Sequence, residues 1–196
     1  IDSDADGIDD SIDVAPCDAS VSARAYLPPG QVYGVAMFED SWPSQGDFDF
    51  NDAVIGFHQV LELDSSARMT GLVLDIDVMA VGARFDNGLA FHVPAARSLV
   101  TQTLLTVDGQ QATSPTVTPW STEGETVVTL ADSLHGLFGV NGEWVNTDPN
   151  LTARPYVHIR LEMKFAPASI SIADALFDLF LFNTQRGTEV PLPGYA

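Results

Sequence analysis

The sequence predicts an all-β fold, an antiparallel β-sandwich or jelly roll that carries an N-terminal calcium-binding loop segment. Three observations lead there. Apolar residues recur with period two, turn residues fall between the apolar runs, and carboxylates near the start stand at alternate positions.

Residues 1–24 form the first unit, an acidic calcium-loop segment and linker; residues 25–196 form the second, a β-sandwich domain. A turn at Pro28-Pro29-Gly30 follows the linker, and strands are expected over 32–38 and 54–63. Leu72, Leu74, Ile76, Val78 and Ala80 then alternate with outward Asp75 and Asp77. Shorter runs at 89–93, 99–107 and 125–130 predict further strands, and Ala131 to Leu137 one or two helical turns. Val157, Ile159, Leu161, Met163 and Phe165 point one way, with His158, Arg160, Glu162 and Lys164 opposite, so this strand is half buried. A last strand is expected over 177–182. Asp64-Ser65-Ser66, Asp86-Asn87-Gly88, Asp108-Gly109, Glu123-Gly124 and Asn141-Gly142 supply turns.

Composition narrows the function. The 196 residues hold 27 acids against 8 Lys and Arg, a net charge of −19, yet 45% are hydrophobic. That apolar fraction supports a core, which excludes a disordered chain. The charge repels phosphate, which argues against nucleic acid and anionic lipid, and no apolar run is long enough for membrane insertion as a helix. Asp outnumbers Glu by 20 to 7, and seven Asp lie within the first 18 positions. Short carboxylates beside Gly and Asn suit the wrapping of a cation better than simple solvation does. The acidic start at Ile1 reads as a processed or excised segment.

Asp2, Asp4, Asp6, Asp10 and Asp13 match the side-chain positions of a twelve-residue calcium loop. Gly7 supplies the sharp turn, and Ile8 stands where a backbone carbonyl is offered. Position twelve is Asp instead of Glu, and no amphipathic helix flanks the loop. It resembles the calcium loops of thrombospondin type 3 and dockerin repeats rather than a helix-loop-helix pair. The competing reading is a solvated acidic linker.

A second motif runs from Phe38 to Asp52. Asp47, Asp49 and Asn51 alternate and could face one Ca²⁺, with Glu39, Asp40 and Asp52 near enough to complete its shell. Phe48 and Phe50 are expected to point into the core and so fix the loop. The bland alternative is an acidic turn whose Asn and Asp side chains bond their own backbone.

This motif also resembles the signature of the bacterial LruC-domain family. So do Tyr33-Gly34-Val35-Ala36-Met37-Phe38, Gly82-Ala83-Arg84-Phe85-Asp86-Asn87-Gly88-Leu89-Ala90-Phe91, and Glu189-Val190-Pro191-Leu192-Pro193-Gly194-Tyr195. The resemblance implies a secreted or surface-exposed bacterial protein with a β-rich, calcium-loaded domain and no catalytic activity. Family members continue past this last segment, so the stop at Ala196 implies a cut domain or a fold completed from outside.

Other chemistry has little support. His58, His92, His135 and His158 stand singly, and no GxSxG, P-loop or GxGxxG occurs. Cys17 has no partner in the chain. Trp42, Trp120 and Trp144 suit packing or sugar stacking equally. Paired carboxylates could serve a hydrolase, but they coincide with metal-ligand spacing.

The reading is a non-enzymatic, extracellular, cell-surface module stabilised by Ca²⁺, with a structural or adhesive role. The two-faced apolar run over 177–182 would be a hazard at an open edge but is tolerable in the middle of a sandwich or under another chain. It suggests association with other copies, head to tail by strand addition or a calcium clamp, into filaments; the bland alternative is a monomeric module cut from a longer surface protein. The alternative is a calcium-dependent carbohydrate-binding module that uses a tryptophan against a glycan or surface ligand.

Overall fold

In the computed structural model, the residues described are 1–41, 44–93, 95–112, 125–166, 170 and 178–192. Within them two antiparallel sheets pack face to face as a sandwich. The strands are β1 (Ala23–Leu27), β2 (Gly34–Phe38), β3 (Ala53–Leu63), β4 (Met69–Ala80), β5 (Gly88–Val93), β6 (Val100–Val107), β7 (Gln110–Gln111), β8 (Thr126–Ala131), β9 (Val157–Phe165), β10 (Asp178–Asn183) and β11 (Thr188–Pro191). One short helix, α1 (Leu134–Leu137), starts at Ser133, whose hydroxyl accepts the Gly136 N–H.

The large sheet runs β1-β3-β4-β9-β6-β7, and β2 also pairs with β3. Both β1 and β2 lie along β3: β1 pairs with Gln59–Leu63 and β2 with Ala53–Phe57. Together they form one edge, interrupted by the turn around Pro28-Pro29-Gly30. The small sheet runs β11-β10-β5-β8.

Alternation explains the strongest strands. Leu72, Leu74, Ile76 and Val78 of β4 and Ile159, Leu161 and Met163 of β9 are buried in one core. They meet Leu89 and Phe91 of β5 and Leu179 and Leu181 of β10 there. Each such side chain contributes about 1.5–3 kcal/mol by leaving water. The opposite face of β4 and β9 carries ion pairs: Arg160 Nη1 meets Asp75 at 2.8 Å, and His158 Nδ1 lies 2.9 Å from Asp77. His158 thus sits on the polar face, as its alternation requires. At the β6–β7 turn Asp108 and Gly109 both have positive φ, 48° and 74°, as a tight two-residue hairpin demands.

Of the two places open to the last apolar run, an edge or the middle of a sheet, it takes the second: β10 lies between β11 and β5, and residues on both its faces are buried. Phe180 and Phe182 are buried there with Ala90 and Val127 in a separate small cluster. The ring of Phe182 lies over Gly88, where a Cβ would come within 2.2 Å of its Cζ. Phe177 lies outside the described residues, as do the Glu123-Gly124 turn, Trp42, Trp120 and the closing Pro193-Gly194-Tyr195.

The N-terminal segment is tied to the sandwich. Ser22 N–H donates to Leu63 O at 2.7 Å, Thr70 Oγ1 donates to Ser20 O at 2.7 Å, and Val21 is buried. Cys17 is exposed. Among the described residues no helix is long and apolar enough to cross a membrane.

Candidate metal centre

The first loop curls because its turns are written into it. Ala5 and Gly7 take positive φ, 63° and 94°. Each carboxylate bonds an N–H nearby: Asp4 Oδ1 accepts from Asp6 N at 3.3 Å, Asp6 Oδ1 from Ile8 N at 2.7 Å, and Asp2 Oδ2 from Gly7 N at 3.1 Å. The result brings carboxylate oxygens of Asp2, Asp4 and Asp6 within 4.8 Å of one another.

Asp13, eleven positions after Asp2, is near enough for its charge to act on Asp4. Asp4 Oδ2 and Asp13 Oδ2 are both buried without a hydrogen-bond partner. Burial holds the Asp4 carboxyl above the usual range, and the charges of Asp6, Asp13 and Asp2 raise it further against one bond from Asp6 N–H. Asp6 also accepts from the Ser22 hydroxyl, which joins the loop to the strand that follows.

Asp10 goes elsewhere. Its two oxygens accept from Ser3, from the N–H at 2.8 Å and the hydroxyl at 2.7 Å. The loop thus gathers Asp2, Asp4 and Asp6, with the charge of Asp13 acting on Asp4, while Asp10 braces its outer turn. Ile8 is fixed through its N–H by Asp6.

The second motif divides into two trios that share Glu39. Carboxylate oxygens of Glu39, Asp47 and Asp49 lie within 4.8 Å of one another, and so do those of Glu39, Asp40 and Asp52. Asp40 and Asp52 are buried, at 4% and 9% exposure, while Asp47 and Asp49 are exposed. Gly46 lets the loop close on Glu39: a Cβ there would stand 2.1 Å from Glu39 Oε1. Phe48 N–H then donates to Glu39 Oε2 at 3.1 Å.

Asn51 bonds one acid of that group but aims its own oxygen elsewhere. Its amide nitrogen donates to Asp49, and its Oδ1 lies against Gly82, where a Cβ would come within 2.0 Å of it. The expectation that Phe48 and Phe50 enter the core is corrected. They are 61% and 45% exposed. Both have positive φ, 62° and 51°, so the segment is not an extended strand and the two-residue alternation does not hold. Their rings line an open groove of about 380 Å³ with Met37, Val190 and Leu192.

Burial of the second trio has an electrostatic consequence. Desolvation pushes Asp52 up to about 7, with the charges of Asp40 and Glu39 adding to it. A cation-free trio therefore keeps a proton near neutrality. A divalent cation does the same neutralising work and competes with that proton.

Sequence reasoning missed the residues that hold this trio. Asn87 Nδ2 donates to Asp40 Oδ2 at 2.8 Å, and Asn183 Nδ2 donates to Asn87 Oδ1 at 3.1 Å. Arg186 Nη1 donates to Asp40 O at 3.1 Å and lies over the Phe85 ring at 4.1 Å. The signal was available in part: Asn87 and Asn183 are amides at the ends of apolar runs, where a buried polar partner is needed. The segment around β2, the Gly82–Phe91 segment and the described part of the closing segment meet at this end of the sandwich.

Comparison with known proteins bears on the sandwich more than on the acids. Residues 68–196 match a family described as "Domain of unknown function (DUF4842)". All twelve candidate ligand residues precede that match. No curated protein matches the chain. Among solved structures, the crystal structure of a "Putative lipoprotein" from Bacteroides ovatus superposes with a TM-score of 0.60 and 18% identity, over 88% of this chain and 56% of that one. At that identity the likeness concerns the fold, and this chain spans little more than half the length of that protein.

Proposed function

We propose that this chain, which belongs to the DUF4842 family of domains of unknown function, is a non-enzymatic, calcium-stabilised β-sandwich module of a bacterial surface or secreted protein. The observation that carries the reading is the pair of buried, unpartnered oxygens, Asp4 Oδ2 and Asp13 Oδ2. Asp4 stands in the trio whose carboxylate oxygens, with those of Asp2 and Asp6, lie within 4.8 Å of one another, and the charge of Asp13 acts on it. Buried carboxylate oxygens without a donor are costly, and a cation relieves that cost. Calcium suits the loop because it takes 6–8 oxygens at roughly 2.3–2.6 Å in flexible geometry, which alternate short carboxylates and one carbonyl can supply.

The second site would take its cation at Glu39 with Asp40 and Asp52, or with Asp47 and Asp49. Its role would be to lock the segment after β2 onto the small sheet. The LruC-like motifs support an extracellular setting, as does the lipoprotein description of the structural neighbour. In this reading the cations brace the fold and the role of the module is structural or adhesive. Among the described residues β2 and β11 each pair with one strand only, and strand addition between copies would use those edges.

Calorimetric titration of chelator-stripped protein tests the reading. Ca²⁺ should bind, more tightly than Mg²⁺, and Asp4→Asn with Asp13→Asn should remove one binding event. No heat from Ca²⁺ with the wild-type protein would contradict it.

A further inference from the structure

The loop between α1 and β9 builds a concavity that neither acidic cluster enters. It measures about 760 Å³ and is lined by Glu143, Trp144, Leu151, Thr152 and Arg154, among others. That volume lies within the roughly 300–1,000 Å³ usual for small-ligand sites. The loop is anchored at two points. Val145 is buried and exchanges both backbone bonds with Val81, at 2.8 and 2.9 Å. Asn146 holds positive φ, 59°, and its side chain is wholly engaged: Oδ1 accepts from Arg154 N at 2.7 Å, and Nδ2 donates to Met79 O and Arg154 O.

Those anchors leave the neighbouring side chains free to face a ligand. Trp144 is 57% exposed, an unusual state for an indole whose own backbone neighbour is in the core. Arg154 is fixed by one nitrogen, Nη1, on Phe138 O at 3.1 Å, while Nη2 lies 3.8 Å from the exposed Glu143 carboxylate. The concavity thus offers one flat apolar plate beside a planar donor and a planar acceptor.

We propose that this concavity is a carbohydrate-binding site, with an oligosaccharide stacked on Trp144 and its hydroxyls bonded by Arg154 and Glu143. A pyranose has what these groups require: an apolar face of C–H bonds and a rim of hydroxyls that donate and accept. An apolar peptide would cover the guanidinium and the carboxylate without offering hydroxyls to their remaining donor and acceptor positions. A strongly anionic ligand would meet Glu143 and the net charge of −19, so the fitting glycan is neutral. None of the residues lining the site belongs to a cation cluster, so binding does not require calcium.

A glycan array that includes bacterial polysaccharides and peptidoglycan fragments, followed by calorimetry with the best-bound oligosaccharide, tests this. Trp144→Ala should weaken binding roughly tenfold or more at unchanged melting temperature. Trp144→Tyr, which keeps an aromatic plate, should retain much of it, and Glu143→Gln should alter selectivity among glycans. Measured below the melting temperature of the chelated protein, EDTA should leave affinity unchanged. No glycan bound above background would overturn the proposal. So would binding indifferent to Trp144→Ala, or binding abolished by EDTA while the fold persists. None of these outcomes depends on whether calcium stabilises the sandwich.

Discussion

Asn87 donates its side-chain amide to Asp40 at 2.8 Å, and through that bond the small sheet grips a carboxylate that follows the edge strand of the large one. Both residues are buried, and they are 47 positions apart. The acidic motif is therefore part of the sandwich's closure, and its charge state bears on the stability of the whole.

Replacing Asn87 by Ala leaves Asp40 with one donor fewer in a buried setting. The expected cost is about 1–3 kcal/mol in denaturant unfolding. Asn87→Asp should cost more, since it sets a further carboxylate beside the trio, and added Ca²⁺ should recover part of the loss. A neutral Asn87→Ala would show that the bond does not hold the sheets.

Asp52 titrates near 7 in the fold against an ordinary 3.8. Its contribution to stability is fully present below the ordinary value and is lost as pH rises through about 7. In EDTA, Asp52→Asn should therefore raise the melting temperature at pH 8 and flatten its decline from acid pH. The same variant should gain less from Ca²⁺ than the wild-type protein does. Melting curves across pH, with and without Ca²⁺, measure both effects.

His92 gives a pH dependence of its own, away from the acidic motifs. Its Nδ1 donates to Asp178 at 2.9 Å across the β5–β10 pair, and Glu125 lies 3.4 Å from Nε2. The bond to Asp178 raises its pKa above the ordinary 6.5, helped by Glu125 and opposed by burial. The imidazolium is thus favoured in the fold, and its contribution fades as pH rises through the raised value. His92→Gln should flatten the fall in stability as pH rises through and above the ordinary 6.5. An unchanged profile would remove the ion pair from the account.

Much of this architecture was legible, and the rest was hidden for physical reasons. β4 and β9 were plain because one face is core and the other bears charge. β1, β7 and β11 were not expected: β1 has only part-buried or exposed residues, β7 is two residues long, and β11 contains Pro191. Strand order was unreadable because pairing is non-local, as when Asp75 meets Arg160. The first loop's spacing placed Asp2, Asp4 and Asp6 side by side but did not reveal that Asp10 serves Ser3. In the second motif, alternation failed at Phe48 and Phe50 because left-handed backbone breaks the strand geometry on which it rests.

Gly88 reports on the second buried cluster. With a Cβ 2.2 Å from the Phe182 ring, Gly88→Ala forces β5 or the ring to shift. The expected loss is about 1–3 kcal/mol, read by chemical denaturation. Pairing it with Phe182→Leu should restore part of that loss. Additive losses would mean that the two positions do not share the space.

The central claim is that cations complete this fold, and thermal unfolding after exhaustive chelation tests it most directly. An ion at 100 times its Kd that binds only the native state adds about 2.7 kcal/mol, or roughly 5–10 °C for a domain of this size. The account predicts a fall of at least that order in EDTA, restored by Ca²⁺ and less fully by Mg²⁺. An identical melting temperature in EDTA and in millimolar Ca²⁺ would contradict it.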